Sequence, residues 1–290
     1  MYPATFEYHT PGSVNEAVSL LDRYKDEAKL LAGGHSLIPI MKLRLAQPKH
    51  LIDLRKIQGL SGIREAGGAI VIGALTTHWM VESSDLLKQT LPILPEAAGQ
   101  IGDMQVRNMG TIGGSLAHAD PAADLPAVIL ALGAELKAMG PKGERTTKAE
   151  DFFVDLLTTA LQPNEVLTEI RIPLPLPKTG GAYEKYPHPA SRYAVVGVAA
   201  LLTVDRRDTV QSASIGITGI GSKATRARAA EQYLIGKAPD NDALKTAAER
   251  ATEGISIRAD LQGSAEYKAH LAKVYTRRAL TRALERARAA

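Results

Sequence analysis

Apolar residues recur along this chain with two different periods, and the switches between them mark out its elements. Near the N-terminus, "TPGSVNEAVSLLDRY" spaces Ala17, Val18, Leu20 and Leu21 for one face of a helix. Ser13 stands at the N-cap position, with Glu16 three residues on, which is a capping-box start. "AKLLAGG" then reads as a short buried strand, "SLIPIMKLRL" as a short helix or turn, and "HLIDLRKI" as a strand ending in a turn. "AIVIGALTT" is β-rich, and "LKQTLPILPEAAGQIG" reads as one helix with prolines near its start.

The next stretch, "VRNMGTIGGSLAHADPAADLPAVILALGAELKAMG", opens on a glycine-rich turn. Asp124 is the expected N-cap of an apolar helix running from Ala127 to Leu132, with Pro126 in its first turn and Gly133 ending it. A strand over Ala134 to Met139, a hairpin turn at "PKGERT" and a strand at "EVLTEIRIPL" follow. Three prolines and two glycines in "RIPLPLPKTGG" mark the expected domain boundary. Beyond it lie two β-rich stretches, "RYAVVGVAALLTVD" and "VQSASIGITGIG", and then helices: "TRARAAEQYLIG", "DNDALKTAAERATE" and a long one from Ser264. The order is mixed α+β, then a smaller unit of strands followed by helices.

At 290 residues the chain has room for two domains, and 45% hydrophobic with 23% charged residues is an ordinary globular balance. Only 4% is aromatic, so Leu, Ile, Val and Ala must fill the core. The formal charge of +4 comes largely from the C-terminal "YTRRALTRALERARAA", expected as a solvated amphipathic helix or a subunit contact. Basic residues are not interleaved with aromatics, so no nucleic-acid partner is read. The absence of cysteine says more. It excludes, within this chain, disulfides, thiolate zinc, cysteine nucleophiles and cysteine-ligated iron–sulfur clusters. The N-terminal residues show no secretory pattern, and no apolar run approaches the roughly 20 residues of a membrane span, so a cytoplasmic location is expected.

Two short stretches carry candidate chemistry. "AGGHS" runs from a strand through two glycines into a serine-started helix, and "TIGGS" repeats that layout about 80 residues later. Glycine lets a ligand approach the main chain closely, and a helix start presents unpaired N–H groups to an anion. Either stretch alone is simply a turn; two together suit the two phosphates of a pyrophosphate. Neither continues into a Walker Gly-Lys-Ser/Thr or forms the Rossmann G-x-G-x-x-G. The inference is a dinucleotide held outside a Rossmann fold.

"LLAGGHSLIPIMKLRLAQPKHLIDL", "QVRNMGTIGGSLAHADPAADLPA" and "GSAEYKAHLAKVYTRRAL" resemble the FAD-binding medium subunit of the molybdenum hydroxylases, the xanthine dehydrogenase family, and most resemble its carbon monoxide dehydrogenase type. The resemblance spans essentially the whole chain. It implies an α+β fold: an FAD-binding region of the PCMH type over residues 1–177, in two subdomains of about 1–57 and 58–177. A C-terminal domain over 178–290, with a three-stranded antiparallel sheet and a helical bundle, would follow. It also implies cofactor contacts. Ala32, Gly33, Gly34, His35, Ser36 and Leu37 would wrap the FAD diphosphate, and Thr111, Ile112, Gly113, Gly114 and Ser115 would close over it. Asp124 would bond the ribityl or ribose hydroxyls; Lys185, Ile101 and Tyr193 would lie near the flavin. Ser115 departs from the Asn or Asp of many relatives, and "YPHPASRYAVVG" departs from a lysine-rich version.

Electrons would come from a small subunit with two 2Fe–2S clusters, fed by a large subunit carrying the molybdenum cofactor. FAD would pass them to an external acceptor such as a quinone. The assembly implied is a dimer of heterotrimers, with a possible contact to the inner face of the membrane. Substrate choice would lie in the large subunit, leaving carbon monoxide, an aldehyde or an N-heterocycle open. No catalytic acid or base and no metal ligand is expected in this chain; Asp103, His118 and Asp120 lack a ligand spacing. His35 is expected to shape its loop, His118 to order the turn before Asp124, Asp120 to cap, Arg107 and Asn108 to hold the second glycine stretch, and Trp79 to pack in the core. The alternatives are a stand-alone FAD-dependent oxidase or dehydrogenase, and a non-catalytic nucleotide-binding scaffold.

Overall fold

A computed structural model describes residues 2–290. Ser13 caps the first helix as expected. Its hydroxyl accepts from the Glu16 amide at 3.1 Å, and the Glu16 carboxylate accepts from the Gly12 amide at 2.8 Å. That helix, α1 (Val14–Tyr24), follows β1 (Glu7–His9) and precedes β2 (Ala28–Leu31). After α2 (Leu37–Lys42) comes β3 (His50–Asp53), which lies between β1 and β2 and pairs in parallel with both. Ala17, Val18 and Leu21 of α1 bury against Ile52 and Leu54 in a core of their own.

The second sheet is built from β4 (Ile63–Ala66) and β5 (Ala69–Gly73), then, after a run of helices, β6 (Glu135–Gly140), β7 (Gly143–Lys148) and β10 (Val166–Pro173). Its order is β4-β5-β10-β6-β7, antiparallel throughout. The helices are α3 (His78–Ser83), α4 (Asp85–Thr90), α5 (Ile93–Gly99), α6 (Met104–Met109), α7 (Ile112–His118) and α8 (Asp124–Ala131). The short elements α9 (Ala149–Phe152), β8 (Phe153–Asp155) and β9 (Thr158–Thr159) precede β10.

Sheet and direction change between Pro173 and Thr179. There β11 (Thr179–Pro187), β12 (Ala194–Val204) and β13 (Val210–Thr218) begin a separate antiparallel sheet. The expected three strands are there, with a two-residue fourth, β14 (Thr225–Arg226), added at the edge. Helices α10 (Arg228–Leu234), α11 (Asn241–Glu249) and α12 (Ala265–Ala289) cover one face. The other face receives α8, whose residues are all buried. One core therefore runs through α8 from the second sheet into the third, where Tyr183 and Ala199 join it.

Several expectations fail locally. The single helix read over residues 87–102 breaks at Leu91, because Pro92 has no amide to continue the ladder and instead starts α5. "TIGGS" is not a turn. Thr111 caps α7, and Gly113 and Gly114 lie inside that helix. Asp124 is not an N-cap: Ala123 holds that position without a side-chain bond, and the Asp124 carboxylate points inward. Nor does Asp120 cap a helix; it closes a tight turn by accepting from the Ala122 amide at 2.8 Å. Trp79 is 46% exposed rather than packed in the core. The basic C-terminal helix is largely engaged within the chain: Arg282 and Arg286 pair with Glu96 at 2.7 and 2.6 Å, and Arg288 pairs with Asp208.

Candidate cofactor site

A cavity of about 600 Å³ opens where the first glycine stretch meets α7 and the β11–β12 turn. Ala32, Gly33, Gly34, His35, Ser36 and Leu37 line one wall; Thr111, Gly113, Gly114 and Ser115 line another; Ile101, Asp124 and Tyr193 also border it. Two expected residues do not. Ile112 is fully buried in the core behind α7. Lys185 is buried behind Asp124, outside the lining.

The first loop leaves its backbone amides unused. Gly34 takes a φ of +76°, which turns the chain sharply after β2. Among the described residues, no protein group accepts from the amides of Gly33 to Leu37; the loop's carbonyls are used instead, Ile38 donating to that of Gly34 and Ile40 to that of Ser36. The His35 Nδ1 lies 3.1 Å from the Gly33 carbonyl, which folds the imidazole back over its own loop. His35 is thereby tied to its own loop.

The second stretch is built differently. The Ile112 amide donates to the Thr76 carbonyl, Gly113 to the Ala74 carbonyl, Gly114 to the Thr111 hydroxyl and Ser115 to the Thr111 carbonyl. Its amides are spent on the fold. Its glycines serve contact instead: a Cβ on Gly113 would come within 2.6 Å of the Ala74 carbonyl. The same need explains Gly33, where a Cβ would sit 2.2 Å from the Met109 carbonyl oxygen. The glycines at 33 and 113 therefore let protein backbone approach protein backbone. Arg107 secures this corner by bonding Glu82 at 2.7 Å and the Ile101 carbonyl at 3.0 Å, and the Asn108 side chain donates to the Met104 carbonyl.

Asp124 connects the cavity to the third sheet. Lys185 Nζ lies 2.9 Å from Oδ1 and 3.0 Å from Oδ2, and the Tyr183 hydroxyl donates to Oδ1 at 2.5 Å. Lys185 also donates to the Gln100 carbonyl. Burial pushes the Asp124 carboxyl up, against the pull of the Lys185 charge and the Tyr183 hydroxyl. The turn before Asp124 is tied to β13, where the Thr218 hydroxyl donates to the Pro121 carbonyl at 2.6 Å and the Gly219 amide donates to the same oxygen at 2.7 Å. At the mouth stands Tyr193, 40% exposed, its hydroxyl pushed up by burial and by the Asp120 charge. His118, at the end of α7, also lines the cavity.

Sequence reading missed His78 and Tyr183. Tyr183 and Lys185 alternate along β11 and so share a face, a pairing visible in "AYEKY". His78 had no such signal. It is 5% exposed, lines the cavity, and its Nδ1 is buried without a partner among the described residues. Burial first, then the neighbouring His35 and Arg107 charges, lower its pKa to about 4, so the imidazole is neutral.

Idle amides along one wall of the cavity, at the start of α2, fit an anionic ligand. The fold and cavity thus define a dinucleotide-binding protein of non-Rossmann type. Residues 4–175 match the family described as the FAD binding domain in molybdopterin dehydrogenase, and residues 181–283 match the CO dehydrogenase flavoprotein C-terminal domain. The chain belongs to this molybdopterin dehydrogenase FAD-binding family. It is 45% identical to the carbon monoxide dehydrogenase medium chain of Afipia carboxidovorans, covering 99% of this chain and 100% of that one. It superposes on a solved carbon monoxide dehydrogenase chain from Hydrogenophaga pseudoflava with a TM-score of 0.96, at 46% identity and 99% coverage of both chains. A chain of quinoline 2-oxidoreductase from Pseudomonas putida 86 gives 0.93 at 34% identity, again with 99% of both chains covered. The family resemblance read from the glycine stretches is borne out.

Proposed function

We propose that this chain is the FAD-binding electron-transfer subunit of a molybdenum hydroxylase of the carbon monoxide dehydrogenase type, with the domain division at 177/178. The observation that carries the reading is the run of unengaged amides from Gly33 to Leu37 facing a cavity of about 600 Å³. These amides would bind the diphosphate, with the N-terminal half of α7 forming the opposite wall. Asp124, held in place by Lys185 and Tyr183, would orient the cofactor hydroxyls. Lys185 acts through Asp124 in this reading rather than on the cofactor. Tyr193, with Ile101, would border the flavin. When bound, the flavin takes up single electrons and gives two to an external acceptor such as a quinone.

The partners follow from what the chain lacks. With no cysteine it offers no thiolate for a cluster, so the iron–sulfur centres belong to another subunit. We assign them to a small subunit with two 2Fe–2S clusters, next to a large molybdenum subunit, in a dimer of heterotrimers. Among the described residues no helix is long and apolar enough to cross a membrane. A cytoplasmic complex touching the inner membrane face fits that observation.

The test is reconstitution. Mixed with FAD, the isolated chain should take up one equivalent and turn yellow, yet oxidise no small substrate. Supplied with a reduced small subunit, it should pass electrons to a quinone. Substrate turnover by the isolated chain would overturn the subunit reading, and failure to bind FAD would overturn the site.

A further inference from the structure

The parallel pairing of β1 with β3 brings together three side chains that the FAD reading does not use. The register sets Glu7 opposite His50 and His9 opposite Ile52. Glu7 and His9 are two apart on β1 and so project from one face, with His50 beside them on that face. Their donor atoms converge. His9 Nε2 is 3.1 Å from His50 Nδ1, and Glu7 Oε2 is 3.4 Å from His50 Nδ1 and 3.9 Å from His9 Nε2.

We propose that Glu7, His9 and His50 form a zinc(II) site. Ligand bonds of 2.0–2.1 Å at tetrahedral angles put donor atoms about 3.3 Å apart. The observed triangle brackets that spacing. Two imidazoles and one carboxylate, without thiolate, suit a first-row divalent cation. The rings are held in position: His50 stacks on Tyr24 with centroids 3.6 Å apart and 14° between planes. Both histidines are largely buried, at 20% and 12% side-chain exposure, whereas Glu7 is 71% exposed. The site therefore has a fixed inner half and a solvent side where water completes four-coordination. A bound ion clips the short edge strand β1 to β3.

The experiment uses the FAD-loaded full chain, stripped with a chelator and titrated with zinc(II) by calorimetry, with bound metal counted by elemental analysis. One ion per chain is expected. Glu7→Gln, a change at an exposed side chain, should weaken binding roughly tenfold or more, and His9→Gln or His50→Gln should abolish it. In the unsubstituted protein, the ring protons of two histidines should shift on zinc addition. Absence of binding at micromolar zinc, binding equal in all variants, or no histidine shift would each overturn the proposal and leave a His9–His50 hydrogen bond in its place.

Discussion

Lys185 and Asp124 form an ion pair sealed inside the protein, Nζ 2.9 Å from Oδ1, that joins β11 of the third sheet to the first turn of α8. One partner borders the cavity and the other lies behind it. Neither charge has solvent to fall back on, so each is stable only because the other is there. Removing the ammonium leaves a buried carboxylate with Tyr183 as its remaining side-chain donor.

Lys185→Met should therefore destabilise the fold by about 3–5 kcal/mol. Urea unfolding at pH 7 measures it. Lys185→Met combined with Asp124→Asn removes both charges and should recover a large part of the loss. Equal stability of the single and double variants would mean that the pair is not coupled.

His78 predicts acid sensitivity. Its folded pKa of about 4 lies below the ordinary histidine value of 6.5, so the folded state disfavours the proton. Stability from this group is complete above pH 6.5 and is lost as the pH falls through 4. The difference corresponds to about 3 kcal/mol. Unfolding free energies at pH 7 and pH 4 should differ less in His78→Asn than in the unsubstituted protein, by up to that amount.

Gly33 should tolerate no side chain. In Gly33→Ala the new Cβ would overlap the Met109 carbonyl at 2.2 Å, forcing the two walls apart. We expect a loss of about 1–3 kcal/mol and a lower ratio of flavin to protein absorbance after purification. Gly33→Val should lose FAD outright. Full flavin content in both variants would remove the first loop from the binding site.

Tyr193 tests the mouth of the cavity. Tyr193→Ala removes an aromatic face from beside the proposed flavin position, and FAD should bind about tenfold more weakly, as read by fluorescence titration. Tyr193→Phe keeps the ring and should bind nearly as the parent does. Loss in Phe equal to that in Ala would place the importance in the hydroxyl instead.

Much of this protein is legible in one dimension. The capping box at Ser13, the β6–β7 hairpin and the proline-rich change of sheet are local chemistry, decided by residues close in sequence. The two glycine stretches were legible because each is a short motif with its own backbone logic, and both line one cavity. What the motifs could not say was how the work is divided. Gly33 and Gly113 are glycine because Met109 and Ala74 press against them, and those neighbours are distant in sequence. Asp124 looked like a helix cap because its partners, Tyr183 and Lys185, lie 59 and 61 residues away on β11. His78 and the Glu7–His9–His50 triangle were silent for the same reason. Burial and convergence are properties of packed surfaces, and only the tertiary structure brings those surfaces together.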